Sequence, residues 1–428
     1  MSMSAILFGS FIILLLLNVP IALALGFASL LAFISNGTML QLLPLQMHAA
    51  IGKFTLLAIP FFVLAGNVME KAGISERLIN LADKFVGHRR SGLATVVVIT
   101  SCFFAAISGS GPATVAALGA ILIPAMINSG YNPGMAAGLL ATAGSIGIII
   151  PPSIAFVVYG AISETSVGKL FAAGVIPGII MGIGLAVVAM FDTKRMPIIQ
   201  HEKSNREEKL KAFKEAIWGL LMPVIILGGI YGGFFTATEA AAVAAVYGII
   251  VGIFVYKKIN FNTLVDLLIE SAIGSAVVLF IVATATVFAW IVTTEGIATI
   301  AGEAIFNIAG GNKFVFLLLV NIILLIAGCF VDAISAFYLF VPILFPVAIE
   351  LGYDPVAFGV LMTVNLAIGQ VTPPVGVNLY VAAPMAKVNL KEITKGVIPY
   401  ILISIVTLLL ITYVPQFSLL LPNILGIK

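Results

Sequence analysis

Apolar runs long enough to cross a bilayer recur from one end of this chain to the other. A transmembrane helix needs about 20 consecutive, mostly apolar residues. Such runs fall near residues 5–33, 51–69, 170–191, 216–235, 238–256, 267–293 and 396–420. Others are interrupted midway: 92–108 returning as 112–128, 132–150 continuing as 153–166, 314–331 returning as 333–350, and 355–371 continuing as 374–386. The alternating strands of a membrane barrel are missing, so the chain reads as an all-α polytopic membrane protein. Apolar residues make up 61% of it and charged residues 9%, against about 25% charged in a soluble domain. The lipid bilayer is its solvent. The net charge of +3 leaves no nucleic-acid footprint. Met1–Ala5 has no basic residue and the run to Phe33 is too long for a signal peptide, so it is read as a retained first span. Cys102 and Cys329 sit in apolar segments as small packing residues.

Two stretches between spans are amphipathic, Ile74–Val86 and Ile297–Ala309, and are expected to lie along the interface or to link domains. Basic residues concentrate in short loops, which fixes orientation. Asp192–Lys214 carries Lys194, Arg195, Lys203, Arg206, Lys209, Lys211 and Lys214. Lys257 and Lys258, His88 with Arg89 and Arg90, and Lys387, Lys391 and Lys395 fall on the same side if 92–128 and 314–350 are re-entrant hairpins. That topology puts the basic clusters and the N-terminus in the cytoplasm and the C-terminus outside.

The chain also repeats itself. Gly130-Tyr131-Asn132-Pro133 returns as Gly352-Tyr353-Asp354-Pro355, "GIIIPP" from Gly147 as "GQVTPP" from Gly369, "GVIP" from Gly174 as "GVIP" from Gly396, and Pro124 as Pro346. Every pair is 222 residues apart, without a gap. The expected division is a first repeat over 1–214 and a second over 215–428. Each has scaffold spans, an amphipathic arm, a hairpin (92–128 or 314–350) and a broken helix (132–166 or 355–386). The first ends in a cytoplasmic loop, 192–214, and the second in a last span. With one hairpin entering from each side the repeats are inverted, an architecture of secondary transporters whose site lies at the midplane.

The interruptions carry the functional information. Backbone outside helical geometry leaves N–H and C=O groups unpaired, at several kcal/mol each in lipid, unless it lines a polar cavity. Ser108-Gly109-Ser110-Gly111-Pro112 and Phe330–Ser335 read as hairpin tips. Ala143–Ser153 and Leu366–Asn378 are the helix breaks, each with tandem prolines that remove two donors. Free carbonyls and hydroxyls suit a small hard cation such as Na+, and free amides at a helix start suit an anion. All five arginines, Arg77, Arg89, Arg90, Arg195 and Arg206, map to loops or amphipathic stretches. If the substrate is anionic, helix ends and hydroxyls must hold it, helped by co-bound cations.

Several residues carry two readings at this stage. Ser108, Ser110 and Thr114 are ligands or satisfy the kinked backbone. Ser153, Thr372, Asn365 and Asn378 are ligands or glue between helices. Asp332, the acid placed at a tip, ligates Na+, carries a proton, contacts substrate, or caps its helix. Glu239 reads as a helix cap. Catalysis is not expected: His48, His88 and His201 map to loops, so no base shares the midplane with the serines, and no Walker A motif is present.

The segments "FFAAISGSGPATVAALGAILIPAM", "GLLATAGSIGIIIPPSIAFVVYG" and "NLAIGQVTPPVGVNLYVAAPMA" resemble the large membrane subunit of tripartite ATP-independent periplasmic transporters, including those for sialic acid. "AIPFFVLAGNVMEKAGISERLI" and "FTATEAAAVAAVYG" extend the resemblance over essentially the whole chain. It implies a sodium-driven importer of organic anions such as sialic acids or C4-dicarboxylates, in the bacterial inner membrane. It implies an elevator of the ion transporter superfamily, a periplasmic substrate-binding protein, and a small four-helix membrane subunit expected as a separate chain. No covalent cofactor is implied, only Na+ at two sites or more. Carried over, the first sodium site uses Ser108, Gly147, Ile150 and Pro152, and the second uses Gly328, Gly369, Thr372 and Val375. Ser110, Gly111, Thr114, Ser153, Asp332, Asn365 and Asn378 are the substrate-facing candidates. The rival reading is a stand-alone proton-coupled carboxylate carrier or antiporter.

Overall fold

Pro133 and Pro355 open the two helices at the centre of the bundle. Each proline sits in the first turn, where a missing N–H is harmless, behind a capping side chain. Asn132 accepts from the Met135 N–H, and Asp354 from those of Val356 and Ala357. The helices Pro133–Ser145 and Pro355–Gly369 are buried on nearly every face, as a helix apolar all round must be. The first packs on Leu390–Tyr413, Gly111–Asn128 and Val377–Ala386, and the second on Lys313–Gly328, Ala333–Glu350 and Val167–Asp192. Elements from the two halves of the sequence therefore interleave in one hydrophobic core.

The computed structural model describes residues 3–199 and 202–427, with twenty α-helices and no strand among them. Eight helical segments are long and apolar enough to cross a membrane. The offset seen in the sequence reappears in the helix boundaries. Gly111–Asn128 corresponds to Ala333–Glu350, Ile74–Val86 to Ile297–Ile308, and Val167–Asp192 to Leu390–Tyr413, each within a residue or two of 222. Where hairpins were expected, Gly92–Ser108 turns into Gly111–Asn128, and Lys313–Gly328 into Ala333–Glu350, and in each pair the helices pack together. Both expected breaks form as well, between Ser145 and Ile154 and between Gly369 and Val377.

Several boundaries differ from the sequence reading. The run 5–33 is not one span but two helices, Met3–Leu16 and Ile21–Asn36, packed on each other. Pro20 disfavours helix at Val19, and Asn18 takes a left-handed turn at φ +61°, which Asn tolerates. The run 396–420 is likewise divided, into Leu390–Tyr413 and Gln416–Ile424 with Pro415 between them. The polar stretch 192–214 is only partly a loop, because the helix Arg206–Tyr231 begins inside it. Asn205 caps that helix, and Glu207 and Glu208 in its first turn complement its dipole. Glu208 also pairs with Lys84 of the Ile74–Val86 helix at 3.4 Å. His48 lies within the helix Leu42–Ile51 rather than in a loop, and His201 lies outside the described residues. Glu239 closes a capping box with Thr236, as its position promised.

The two amphipathic helices pack differently. Ile74–Val86 buries Ile74, Leu78 and Ala82 against Gly92–Ser108 and Arg206–Tyr231. Ile297–Ile308 rests chiefly on Ala333–Glu350, the second helix of its hairpin rather than the first.

Candidate ion and substrate site

The tip of the first hairpin is closed by its own hydroxyls. Gly109 ends the helix Gly92–Ser108 at φ +62°, a conformation glycine adopts without a Cβ penalty. Ser110 is extended and starts the next helix. The Ser108 Oγ and Thr114 Oγ1 atoms lie 2.8 Å apart. Both also approach the Ser110 carbonyl oxygen, at 3.2 and 2.8 Å. Ser108 and Thr114 are buried. Seven residues, 108–114, thus hold two hydroxyls and a carbonyl at one point.

That point sits inside the first break. A Cβ on Gly147 would lie 2.7 Å from the Ser110 oxygen and 2.9 Å from Thr114 Oγ1, and one on Gly109 would lie 2.8 Å from the Pro152 oxygen. The break has the backbone economy that tandem prolines impose. In a continuing helix the carbonyls of Gly147 and Ile148 would accept from residues 151 and 152, which are prolines with no N–H. Ser153 repairs one of these. Its hydroxyl donates to the Ile148 carbonyl at 2.6 Å and accepts from the Phe156 N–H at 3.4 Å, so it closes the break and caps the helix Ile154–Ser163 at once. Ile150 lies buried between Gly147 and the prolines. Ser108, Gly147, Ile150 and Pro152 are therefore brought together with Ser110, Gly111, Thr114 and Ser153.

The second break is closed by different means. Thr372 N–H donates to the Gly369 carbonyl at 3.1 Å, Thr372 Oγ1 to that of Ile368 at 2.7 Å, and Asn378 N–H to that of Gln370 at 3.0 Å. The second hairpin meets this break glycine to glycine, a Cβ on Gly328 reaching to within 3.0 Å of the Gly369 Cα. Gly328, Gly369 and Thr372 thus belong to one neighbourhood, and Val375 lies in the same break. Both Pro-Pro bonds, Pro151-Pro152 and Pro373-Pro374, are cis.

The two breaks meet at the first tip. Gly111 faces the Gln370 side-chain oxygen and the Asn378 amide nitrogen, which stands 3.3 Å from where its Cβ would be. Asn378 is fully buried, with its nitrogen bonded to the Ala141 carbonyl at 3.1 Å. The Asn378 Oδ1 and Gln370 Oε1 atoms are buried and have no hydrogen-bond partner among the described residues. Buried acceptors left unpaired are rare in folded proteins, and these two lie beside the start of an 18-residue helix. Gln370 was absent from the sequence-derived set. Its signal was available, since it stands where the first repeat has Ile148, a polar amide at an apolar position.

Asp332 and Asn365 have their hydrogen-bond partners on other elements than that cluster. Asp332 stands 222 residues after Ser110 and likewise starts its helix. One carboxylate oxygen accepts from the Ile334 and Ser335 N–H groups at 2.9 and 3.2 Å, and the other from the Ser335 hydroxyl at 2.5 Å. Asn365 is fully buried one turn before Gly369 and donates to Asn321 at 2.8 Å. Asn321 donates to Thr412 Oγ1 at 3.1 Å, and Tyr353 to the Thr412 carbonyl at 3.0 Å. This polar chain joins the second hairpin, the second broken helix and the helix Leu390–Tyr413.

Comparison with known proteins gives this geometry a context. Residues 8–417 match the family model described as "Tripartite ATP-independent periplasmic transporter, DctM component". The chain is 42% identical to the C4-dicarboxylate TRAP transporter large permease protein DctM of Rhodobacter capsulatus, over 98% of this chain and 99% of that one. It is 40% identical to the sialic acid TRAP transporter large permease protein SiaM of Vibrio cholerae, over 96% of each. It is 43% identical to the isethionate TRAP transporter permease protein DctMQ of Oleidesulfovibrio alaskensis, spanning 97% of this chain and 65% of that protein. In fold it is similar to the YdaH transporter of Alcanivorax borkumensis, with a TM-score of 0.61, 16% identity, and coverage of 90% and 87% of the two chains.

Proposed function

Because the chain belongs to the DctM-component family of tripartite ATP-independent periplasmic transporters, and is thus a multi-pass permease rather than an enzyme, we propose that it carries an organic anion of the C4-dicarboxylate or sialic acid class inward on a Na+ gradient. The observation that carries this reading is the convergence of the first hairpin tip on both helix breaks. Ser108 and Thr114 bring hydroxyls and Ser110 a carbonyl to one point, with Gly147 packed against it and the Pro152 carbonyl against Gly109, and hydroxyls and carbonyls are the donor set a small hard cation takes. A first Na+ there uses Ser108, Gly147, Ile150 and Pro152, and a second uses Gly328, Gly369, Thr372 and Val375. The anion lies between them, held by the start of the helix Gly111–Asn128 and by Ser110, Thr114, Ser153, Asp332 and Asn378. Asn365 supports the second break from behind.

The motion follows from the same parts. The repeats 1–214 and 215–428 are inverted, the hairpins are re-entrant, and hairpins with broken helices form a transport domain that slides against a scaffold. Ile74–Val86 and Ile297–Ile308 are the arms that connect the two. Each packs both on a helix of its own repeat's hairpin and on a long helix outside it, which supports their reading as arms. The permease works in the bacterial inner membrane, N-terminus inside, with a separate small membrane subunit and a periplasmic binding protein that delivers substrate.

The test is uptake of candidate anions into proteoliposomes holding this chain and its small subunit. It is run with and without binding protein, under an imposed Na+ or pH gradient. Uptake that needs both inward Na+ and binding protein is the expected result. Uptake driven by pH alone, without binding protein, would replace this mechanism with a proton-coupled carrier.

A further inference from the structure

We propose that the cavity where the Ile74–Val86 helix crosses the Arg206–Tyr231 helix is a headgroup site for an anionic phospholipid, holding the lipid phosphate at the membrane–water interface. The cavity has a volume of about 600 Å³, and its lining includes Arg77, Lys214, Trp218, Tyr256 and Lys258 together with Glu76 and Glu215.

Depth comes first. Two of the segments that line the cavity change from charged to uncharged within it. On the Arg206–Tyr231 helix the charges stop at Glu215, and nothing from Ala216 to Tyr231 is ionisable except that tyrosine. On the other segment nothing from Ala240 to Tyr256 is charged, and Lys257 and Lys258 follow. Trp218 and Tyr256 stand at the two transitions, the residue types that collect at headgroup level. The third wall is an amphipathic helix, whose natural position is the interface. All three walls put the cavity at one depth.

Charge comes second. Three cations face two carboxylates, and among the described residues none of the three cations forms an ion pair. Arg77 is held in place without one. Its Nη1 donates to the carbonyls of Ala72 and Gly73 at 3.0 and 2.8 Å, and its guanidinium lies 3.7 Å from the centre of the Tyr256 ring. Tyr256 in turn donates to the Glu215 carbonyl at 2.8 Å, which ties the walls together. A pre-positioned guanidinium flanked by two lysines at headgroup depth matches a phosphodiester. The exposed Phe254 and Trp218 beside it offer the acyl chains an apolar path.

Fluorescence tests this in the full-length chain. Trp290→Phe leaves Trp218 as the sole tryptophan, and the protein is reconstituted in mixed phosphatidylglycerol–phosphatidylcholine vesicles in which one lipid or the other is brominated. Preferential quenching of Trp218 by brominated phosphatidylglycerol is expected. Lys214→Ala with Lys258→Ala should remove the preference, and Lys214→Arg with Lys258→Arg should keep it, which separates lost charge from lost fold. Equal quenching by the two lipids would overturn the proposal. So would loss of the preference on adding inorganic phosphate but not chloride at matched ionic strength, because the ligand would then be a free ion rather than a lipid.

Discussion

Gly109 lies directly over the carbonyl of Pro152: a Cβ at 109 would stand 2.8 Å from that oxygen, on a residue already at φ +62°. The first hairpin and the first helix break are in contact through a gap that only a hydrogen fits. Gly37 has nearly the same backbone, φ +67°, with nothing near its missing side chain. Gly37→Ala should therefore cost about 1–2 kcal/mol, the left-handed penalty alone. Gly109→Ala should lower the unfolding temperature further and abolish uptake. Equal shifts in the two variants would remove the close approach from the argument.

Asp332 caps the helix Ala333–Glu350, and Asn caps a helix about as well as Asp. On the proposed mechanism the Asp332 carboxylate also contacts the bound substrate or ion, a role that capping does not require. Asp332→Asn should leave the unfolding temperature nearly unchanged and depress uptake. Asp332→Ala should depress both, at about 1 kcal/mol for the lost cap. Wild-type uptake by the Asn variant would reduce Asp332 to a capping residue.

Ser153 supplies the donor that Pro152 lacks, at 2.6 Å from the Ile148 carbonyl. Ser153→Ala leaves that buried oxygen unpaired, at about 1–3 kcal/mol. The proposed first Na+ site shares this stretch of backbone. The variant should thus need more Na+ for half-maximal uptake, while an unchanged Na+ dependence would detach the break from the ion.

Asn321 and Thr412 link the second hairpin to the helix Leu390–Tyr413 through a buried bond of 3.1 Å. Interhelical bonds of this kind couple by about 0.6 kcal/mol on average in a membrane protein. A double-mutant cycle with Asn321→Ala and Thr412→Val, read by unfolding in detergent, should return a coupling of that order. A coupling indistinguishable from zero would leave the polar chain without a role in packing.

Much of this arrangement was legible in the sequence because its causes are local. Tandem prolines, glycine-rich tips and a gapless offset announce themselves wherever they occur, and the expected hairpins and breaks fall where those residues are. What was missed depended on weighing a local signal against a strong average. Pro20 sits in the run 5–33, but its apolar length masked the turn at Asn18. Arg206–Lys214 looked like loop because it is charged, though Asn205 with Glu207 and Glu208 is a helix start. Gln370 escaped for another reason. Aligning the repeats shows it as a polar amide opposite Ile148, but its meaning lies in facing Gly111 of the other repeat, a contact that the offset alone does not give.

That relation bears on how such chains evolve. Duplicated halves are usually free to drift once each folds, yet here Gly111 of one half is enclosed by Gln370 and Asn378 of the other. A larger residue at 111 requires a smaller one at 370 or 378. Across homologues these three positions should change together or not at all, and that covariation would mark the two halves as having a joint history rather than parallel ones.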